Sequence, residues 1–434
     1  MRWMRLLALL GAITVSTALV ATAAGRASAP DAKVGSAAKP ITVLSLWGGS
    51  EKDAFLKVLK AFEKKTGLKT QYETARDFLP VIRTRVAAGN PPMVAIVPRP
   101  GVMADLAREG ALKDLGPMGL SKRYLTSNYS KAWLDLGTVD GKVYGVAAKA
   151  NSKSVFWYSP QYFKQQRLTV PKTWAQLIAT TKKIKAAGDT PWAVGAKDSW
   201  TLTDWFENIY SRSAGPAKYS RLFGGKLAFT DPSVAQALRL MTSIINDKYV
   251  AGGVKGALGT GFVDGIGLVF GENADARLYM EGGFVGGIAL GDVNPKLKPG
   301  VTIQEAPFPT INPAHGSPVV GGGDLASAFV DNAEVRKLLR YLSSAAAGKI
   351  WVSTGAIVSP NKLVPPNAYP NVLVRAEAKQ VAAAKVFRFD GSDLLPGSLG
   401  EEWGTLLQKV IQKPGDIGKL LSAFQKEAAR EFKK

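Results

Sequence analysis

Apolar and polar positions along the chain change rhythm, and the changes mark out its elements. Ile41–Leu46 is an apolar, β-branched run of strand length. Ser50-Glu51-Lys52-Asp53 then opens like a capping box. Phe55, Leu59 and Phe62 recur at helical spacing until Lys65-Thr66-Gly67 closes the helix. A second strand over Leu68–Tyr72 leads to a helix over Phe78–Ala88, stopped by Gly89-Asn90-Pro91-Pro92. Met93–Val97 is a third buried strand and Val102–Arg108 a short helix. This β-α-β-α-β-α order predicts an α/β protein with a parallel sheet wrapped by helices.

The middle of the chain continues in kind. Ser154–Tyr158 reads as a strand, and Thr173 with Gln176 forms a capping box for a helix that Gly188 ends. Asp231-Pro232 supplies an N-cap and first-turn proline for a helix over Ser233–Asn246. A glycine-dense stretch from Gly252 to Gly291 holds apolar islands such as Phe284–Leu290. Beyond it the pattern predicts a strand-like Val301–Ala306, a loop Pro307–Ser317, a glycine loop Gly321–Gly323 and a helix Glu334–Ala347. Three further helices follow over Ala368–Ala384, Glu402–Val410 and Asp416–Phe432. No internal repeat is visible.

The first residues have a different character. Arg2 and Arg5 precede an uncharged run from Leu6 to Ala24, and small residues follow. That is the make-up of a secretory signal over residues 1–24, cleaved near Ala21-Thr22-Ala23 or after Ala24, with a small, polar leader over 25–39. The competing reading is an uncleaved anchor, because the run approaches the ~20 residues that span a bilayer. Either way the body of the protein is expected to be exported, to the periplasm or the cell surface.

At 434 residues the chain has room for two to four domains or two large lobes. It contains no cysteine, which removes disulfides, thiol catalysis and thiolate metal sites. Its one histidine, His315, lies in a turn-rich loop. A histidine-rich metal site is excluded and a Ser-His-Asp triad disfavoured. The formal charge is +22, but the basic residues are dispersed rather than interleaved with aromatics, so the pattern gives no nucleic-acid surface. No cofactor or metal is expected. The remaining chemistry is carboxylate, hydroxyl, amine and aromatic, which suits binding better than most catalysis.

Gly259-Thr260-Gly261 and Gly321-Gly322-Gly323 lack the spacing and lysine of a phosphate loop. Asp390 and Asp393 could form a glycosidase-like pair, or serve as caps and salt-bridge partners. The aromatics say more. Trp47 follows the first strand at the edge where ligands bind in open parallel sheets, and could stack on a sugar face or pack into the core. Trp200 and Trp205 bracket Asp204, with Glu207 nearby. Carboxylates that accept from two hydroxyls, with a guanidinium such as Arg99, suit a polyol.

Six segments in order, ITVLSLWGGSE, RTRVAAGNPPMVAIVPRPG, WTLTDWFENIYSRSAGP, LYMEGGFV, VVGGGDLASAF and FRFDGSDLLP, resemble those of extracellular solute-binding proteins of carbohydrate ABC importers. These are maltose-binding-protein-like receptors, and the likeness is to their alpha-glucoside subgroup. It runs from about Ile41 to the C-terminus. It implies a two-lobe periplasmic-binding-protein fold of type II with a hinge and an interlobe cleft. Lobe one would take residues 40–148 and 301–350, and lobe two 149–300 and 351–434. The resemblance also implies a monomer that captures a mono- or oligosaccharide by hinge closure and delivers it to ABC permease subunits in the membrane. By motif it places Trp47, Arg76, Asp77, Arg99, Gly323 and Asp324 on the lobe-one side of the ligand. Trp200, Asp204, Glu207 and Phe284 would face them, with Arg388 and Asp390 as weaker candidates.

Three departures stand out. Pro92-Met93 replaces the Pro-Asp frequent in relatives. Arg99 stands where many carry glutamine, which could turn preference toward an anionic ligand. The lipid-bearing cysteine of many Gram-positive relatives is absent. Two other classes therefore stay open: an extracellular carbohydrate-active enzyme with an Asp/Glu pair, and a receptor for a non-sugar or anionic ligand. On the sugar reading, Trp47→Ala and Trp200→Ala should each weaken affinity by about 0.5–3 kcal/mol and leave the fold intact.

Overall fold

The computed structural model describes residues 39–433, so the expected signal segment and all but the last residue of the expected leader lie outside the described residues. Among the described residues there are twelve strands: β1 (Ile41–Ser45), β2 (Thr70–Thr74), β3 (Val94–Val97), β4 (Thr138–Val139), β5 (Lys142–Val143), β6 (Val146–Ser152), β7 (Val155–Tyr158), β8 (Thr190–Ala193), β9 (Ala276–Met280), β10 (Gln304–Pro307), β11 (Val319–Ala328) and β12 (Phe387–Phe389). They form two main sheets and a small β4–β5 hairpin. In the first sheet β2, β1 and β3 run parallel, as the alternating pattern predicts. β11 then returns antiparallel beside β3 and β6. The second sheet has the order β10-β7-β9-β8.

Local signals explain most element ends. Gly67 closes the helix Gly49–Thr66 in the left-handed conformation that glycine adopts without strain, its N–H bonded to Glu63 O. Thr173 and Gln176 make the expected reciprocal capping box for Trp174–Ala186. Asp231 caps Pro232–Ile244 by accepting from Ser233 N. Elsewhere the chain departs from the pattern. The helix expected over Glu334–Ala347 is two helices, Ala333–Leu342 and Ala345–Val352, because Ser344 turns out of the first and caps the second. The helix expected from Ala368 starts at Val372, since the Asn371 side chain caps it at Leu373 N and Val374 N.

Each sheet carries its own apolar core. Val43, Phe55, Ile96 and Leu339 belong to one, and Trp192, Phe206, Leu238 and Trp403 to another. A smaller core around Trp157, Tyr279 and Val285 covers the other face of the second sheet. Among the described residues the chain crosses between the lobes three times, at β6, at β11 and again between Val374 of the first core and Leu395 of the second. β6 leaves the first core at Val146–Ala148 and leads into β7, whose Phe156 and Tyr158 are in the second. β11 carries Val320 in the second core and Leu325, Ala326 and Ala328 in the first. Its register shifts between Asp324 and Leu325, a bulge at the crossing itself.

Gly321–Gly323 therefore lie in a strand, not in the expected glycine loop. The reason is close packing. A Cβ on Gly321 would strike the Phe387 ring, and one on Gly323 would lie 2.5 Å from Lys149 O and 2.7 Å from Trp133. The expected lobe boundary at residue 301 also shifts. β10 pairs with β7 in the second sheet, whereas Trp351, Ile357, Val364 and Val374 pack into the first core.

Candidate functional site

The crossing strand β6 carries Lys149, and Lys153 follows directly after its last residue. An extended strand turns alternate residues to one face, so Lys149 and Lys153, four apart, share a parity. Both are buried, at 4% and 8% exposure. A buried ammonium needs partners, and each has a different set.

Lys149 Nζ lies 2.6 Å from Glu51 Oε1, in the first turn of the helix Gly49–Thr66. It also stands 5.3 Å from the Trp47 ring centre and 5.6 Å from that of Phe284, so one cation joins an aromatic from each lobe. Burial works against its charge, but Glu51 and Asp324 outweigh it and hold the lysine above its ordinary value. Asp324, on the β11 bulge, is raised to about 6, chiefly by burial and against the pull of Lys149.

Lys153 Nζ is 3.1 Å from Asp204 Oδ1 and 3.7 Å from Asp393 Oδ2, and is bonded to Asp390. Burial opposes its charge, yet the three carboxylates hold it well above the ordinary lysine value. Asp390 also accepts from Ser392 Oγ and Asp393 N, and is held well below the usual carboxylate range despite its burial. Burial raises Asp204 to about 8 and Asp393 to about 7, with Lys153 acting against both. Glu281, buried beside Asp204, is raised well above the carboxylate range, first by burial and then by Asp204. Asp204 and Glu281 lie side by side as a buried pair of acids, each the other's hydrogen-bonding neighbour, and Asp204 Oδ1 also faces Lys153. A neutral carboxyl donates as well as accepts, so the pair can share a proton between its own oxygens.

Aromatic surface completes the cluster. Trp200 is 37% exposed at the start of the helix Trp200–Ser213, with its ring 5.0 Å from Phe262 and 6.1 Å from Phe284. Lys153 Nζ sits 5.6 Å from the same ring. Two lysines, four rings and several buried carboxyls thus cluster together, an arrangement suited to a solute with both C–H faces and hydroxyls.

The expected residues fall into three groups. Phe284, Asp204, Asp324 and Trp200 join the two lysines, as does Trp47, though Trp47 is only 1% exposed and lies edge-on to Phe55 and Trp351, each at 5.1 Å. Gly323 lies on β11 beside Asp324 and serves the close passage of β6. Arg76 and Asp77 stand on the exposed turn after β2, with Arg76 against Gly48 and Asp77 ahead of the helix Phe78–Ala87.

Glu207 and Arg99 are committed elsewhere. Glu207 is fully buried and its oxygens accept from Tyr219 Oη, Gly391 N and Ser392 N, so it anchors the 390–392 turn rather than facing a solute. Arg99 reaches Asp393 Oδ1 and Glu401 Oε1 at 3.5 Å and Ser392 O at 3.4 Å, which corrects the expectation that it offers a free guanidinium to an anion. Arg388 donates to Pro216 O and Phe387 O and supports the same C-terminal region.

Lys149, Lys153, Glu51, Glu281 and Phe262 escaped the sequence reading. The lysines were readable as the only charges in the otherwise uncharged run Val143–Tyr158, spaced for one face of a strand. Glu281 carries no such signal. A separate groove of about 460 Å³ between Pro100, Ala104, Asp135, Phe387 and Leu394 contains none of these residues. Among the described residues no group of histidines and carboxylates is arranged to hold a metal, and no helix is long and apolar enough to cross a membrane.

Comparison with known proteins follows the same line. The sequence profile of the bacterial extracellular solute-binding proteins matches residues 48–349. The osmoprotective compounds-binding protein GgtB of Synechocystis is 36% identical over 83% of this chain and 86% of its own. The alpha-glucosides-binding periplasmic protein AglE of Rhizobium meliloti is 31% identical over 83% and 80%. In three dimensions the bacterial solute receptor AcbH, described as preferring β-D-galactopyranose, superposes with a TM-score of 0.80 at 21% identity, over 91% of this chain and 99% of its own. Maltose-bound MalE3 of T. maritima gives 0.73 at 18%, over 90% and 98%. At these identities the structural likeness establishes the two-lobe fold alone.

Proposed function

Because the chain belongs to the bacterial extracellular solute-binding proteins, we propose that it is the capture subunit of an ABC importer for a neutral, polyhydroxylated solute of the alpha-glucoside type. The solute enters between the lobes, the hinge at β6 and β11 closes, and permease subunits in the membrane receive it unaltered. Work of this kind is done outside the cytoplasm, in the periplasm or at the cell surface, by a single copy of the chain.

The observation that carries this reading is Lys149 held between Trp47 of one lobe and Phe284 of the other, with Trp200 partly open beside them. Rings of this kind stack on the C–H faces of sugars, and the carboxyls Asp204, Glu281 and Asp324, each raised by burial, can meet hydroxyls as acceptors or, when protonated, as donors. Charge balance argues for a neutral guest. Lys149, Lys153 and Arg99 already face Glu51, Asp204, Asp390, Asp393 and Glu401, so an anion would find no unpaired cation among them. The enzyme reading of Asp390 and Asp393 loses support for a related reason. Asp390 is tied down by Lys153, Ser392 and the Asp393 N–H, which leaves it poorly placed to act on a substrate.

Titration calorimetry with neutral alpha-glucosides, beta-glycosides and acidic sugars tests the proposal. The expected outcome is tight binding of at least one neutral alpha-glucoside, no release of new reducing ends, and weak salt dependence. Binding confined to acidic sugars and abolished by salt would overturn it.

A further inference from the structure

The helix Gly49–Thr66 begins at the lobe interface and lacks a cap of its own: its N-cap residue is Gly48, which has no side chain to offer. Helix starts leave backbone N–H groups without partners, and a carboxylate there is favoured by hydrogen bonding and by the helix dipole. The missing cap comes from the other lobe. Asp292, in the turn Ala289–Val293 that follows Phe284 and Val285–Ile288, accepts from Ser50 N at 2.9 Å through Oδ1 and at 3.1 Å through Oδ2. Its Oδ2 also accepts from Ser50 Oγ at 2.9 Å.

Two glycines, one on each side, permit the approach. Gly49 has φ +54°, and a Cβ there would stand 2.6 Å from Asp292 Oδ2. A Cβ on Gly291 would stand 2.6 Å from the Ser50 Cβ. The capped turn also carries Glu51, the partner of Lys149, so the contact is mechanically continuous with the cluster between the lobes.

We infer that Asp292 is an interlobe latch: the second lobe caps a first-lobe helix, and that cap exists only when the lobes meet. The latch biases the hinge toward the closed form and so sets affinity from a position outside the proposed ligand cluster. The consequence for affinity rests on the hinge-closing function proposed above; the consequence for lobe separation does not.

The chain has no cysteine, so Lys60→Cys and Lys255→Cys, both at exposed positions on opposite lobes, allow spin labels at two sites only. Pulsed-dipolar distances on the ligand-free full chain should lengthen, or gain a longer population, on Asp292→Ala. Ser50→Ala, which keeps the backbone N–H bonds, should have a smaller effect. With an alpha-glucoside, Asp292→Ala should raise Kd about threefold to thirtyfold, the range a helix cap carries. Both variants should keep the wild-type circular dichroism spectrum. Unchanged distances would overturn the latch, whatever happens to Kd. If the wild type binds no glycoside, the proposed function fails, while the distance measurement still decides the latch.

Discussion

Lys149 and Lys153 sit four residues apart at one crossing, the first within β6 and the second just past its end, yet they do different work. Lys149 has a single carboxylate at bonding distance and spends the rest of its surroundings on two aromatic rings. Lys153 is enclosed by Asp204, Asp390 and Asp393, and through them is tied to Ser392 and the C-terminal turn. The first arrangement leaves interaction capacity for a guest between the rings. The second is saturated by the protein and neutralises buried acids. Proximity to the cleft does not separate a recognition group from a structural one; the number of partners already supplied does.

Replacing each lysine breaks or sharpens that contrast, and Lys153→Met should have the largest effect. It strips the shared cation from buried carboxyls and should cost about 3–5 kcal/mol of stability, the usual range when one member of a buried ion pair is removed. Lys149→Met leaves Glu51 near the surface, with its side chain 13% exposed, and should destabilise less while lowering glycoside affinity more. Urea denaturation and calorimetry on the two variants give both quantities. Equal stability losses would erase the distinction between the two lysines.

The tryptophans supply a second, smaller version of the same contrast. Trp47 is 1% exposed and packed against Phe55 and Trp351, so Trp47→Ala should lose about 3–5 kcal/mol of stability, contrary to the sequence expectation that it leaves the fold intact. Trp200, 37% exposed, should behave as that expectation holds. Its removal should weaken affinity by about 0.5–1.5 kcal/mol with little change in Tm. A Trp200→Ala protein with wild-type affinity would take this ring out of the site.

What the sequence revealed follows the range of the interactions. The strands β1 to β3, the Gly67 helix end and the Thr173 box depend on neighbours within a few residues, and all were legible. Trp47, Asp204 and Phe284 were nominated by their motifs. Their partners were not, because Lys149–Glu51 joins residues 98 apart and Lys153–Asp390 residues 237 apart. The glycines at 321–323 misled for a related reason. Glycine signals a turn when only its own backbone is considered, whereas here the demand comes from Phe387, Lys149 and Trp133 packed against the strand. Glu207 misled in the same way, its role fixed by a turn far along the chain.

The finest test concerns the protons in the Lys153 half. Asp204 is raised from 3.8 to about 8, chiefly by burial, so between those pH values the folded protein keeps a proton that the unfolded chain has released. Its contribution to stability is therefore fully present at acid pH, declines as pH rises through the window, and is spent above about 8. Lys153 faces Asp204 and stays charged throughout, since its own value is raised well above the ordinary one. Glu281 and Asp393, also raised, titrate in the same sense, and Asp390, lowered by Lys153, in the opposite sense; all three remain in an Asp204→Asn variant, where Glu281 loses the part of its rise that Asp204 causes. That variant cannot ionise at position 204 and escapes this part of the decline. Its stability relative to the wild type should accordingly rise from pH 5 to pH 8, whatever constant offset the weaker Lys153 contact introduces. Urea midpoints at four pH values across that span measure the difference. A flat difference would mean that Asp204 is ionised in the folded protein across the whole span, which would make it a fixed counterion of Lys153 and not a carboxyl free to trade its proton with a hydroxyl.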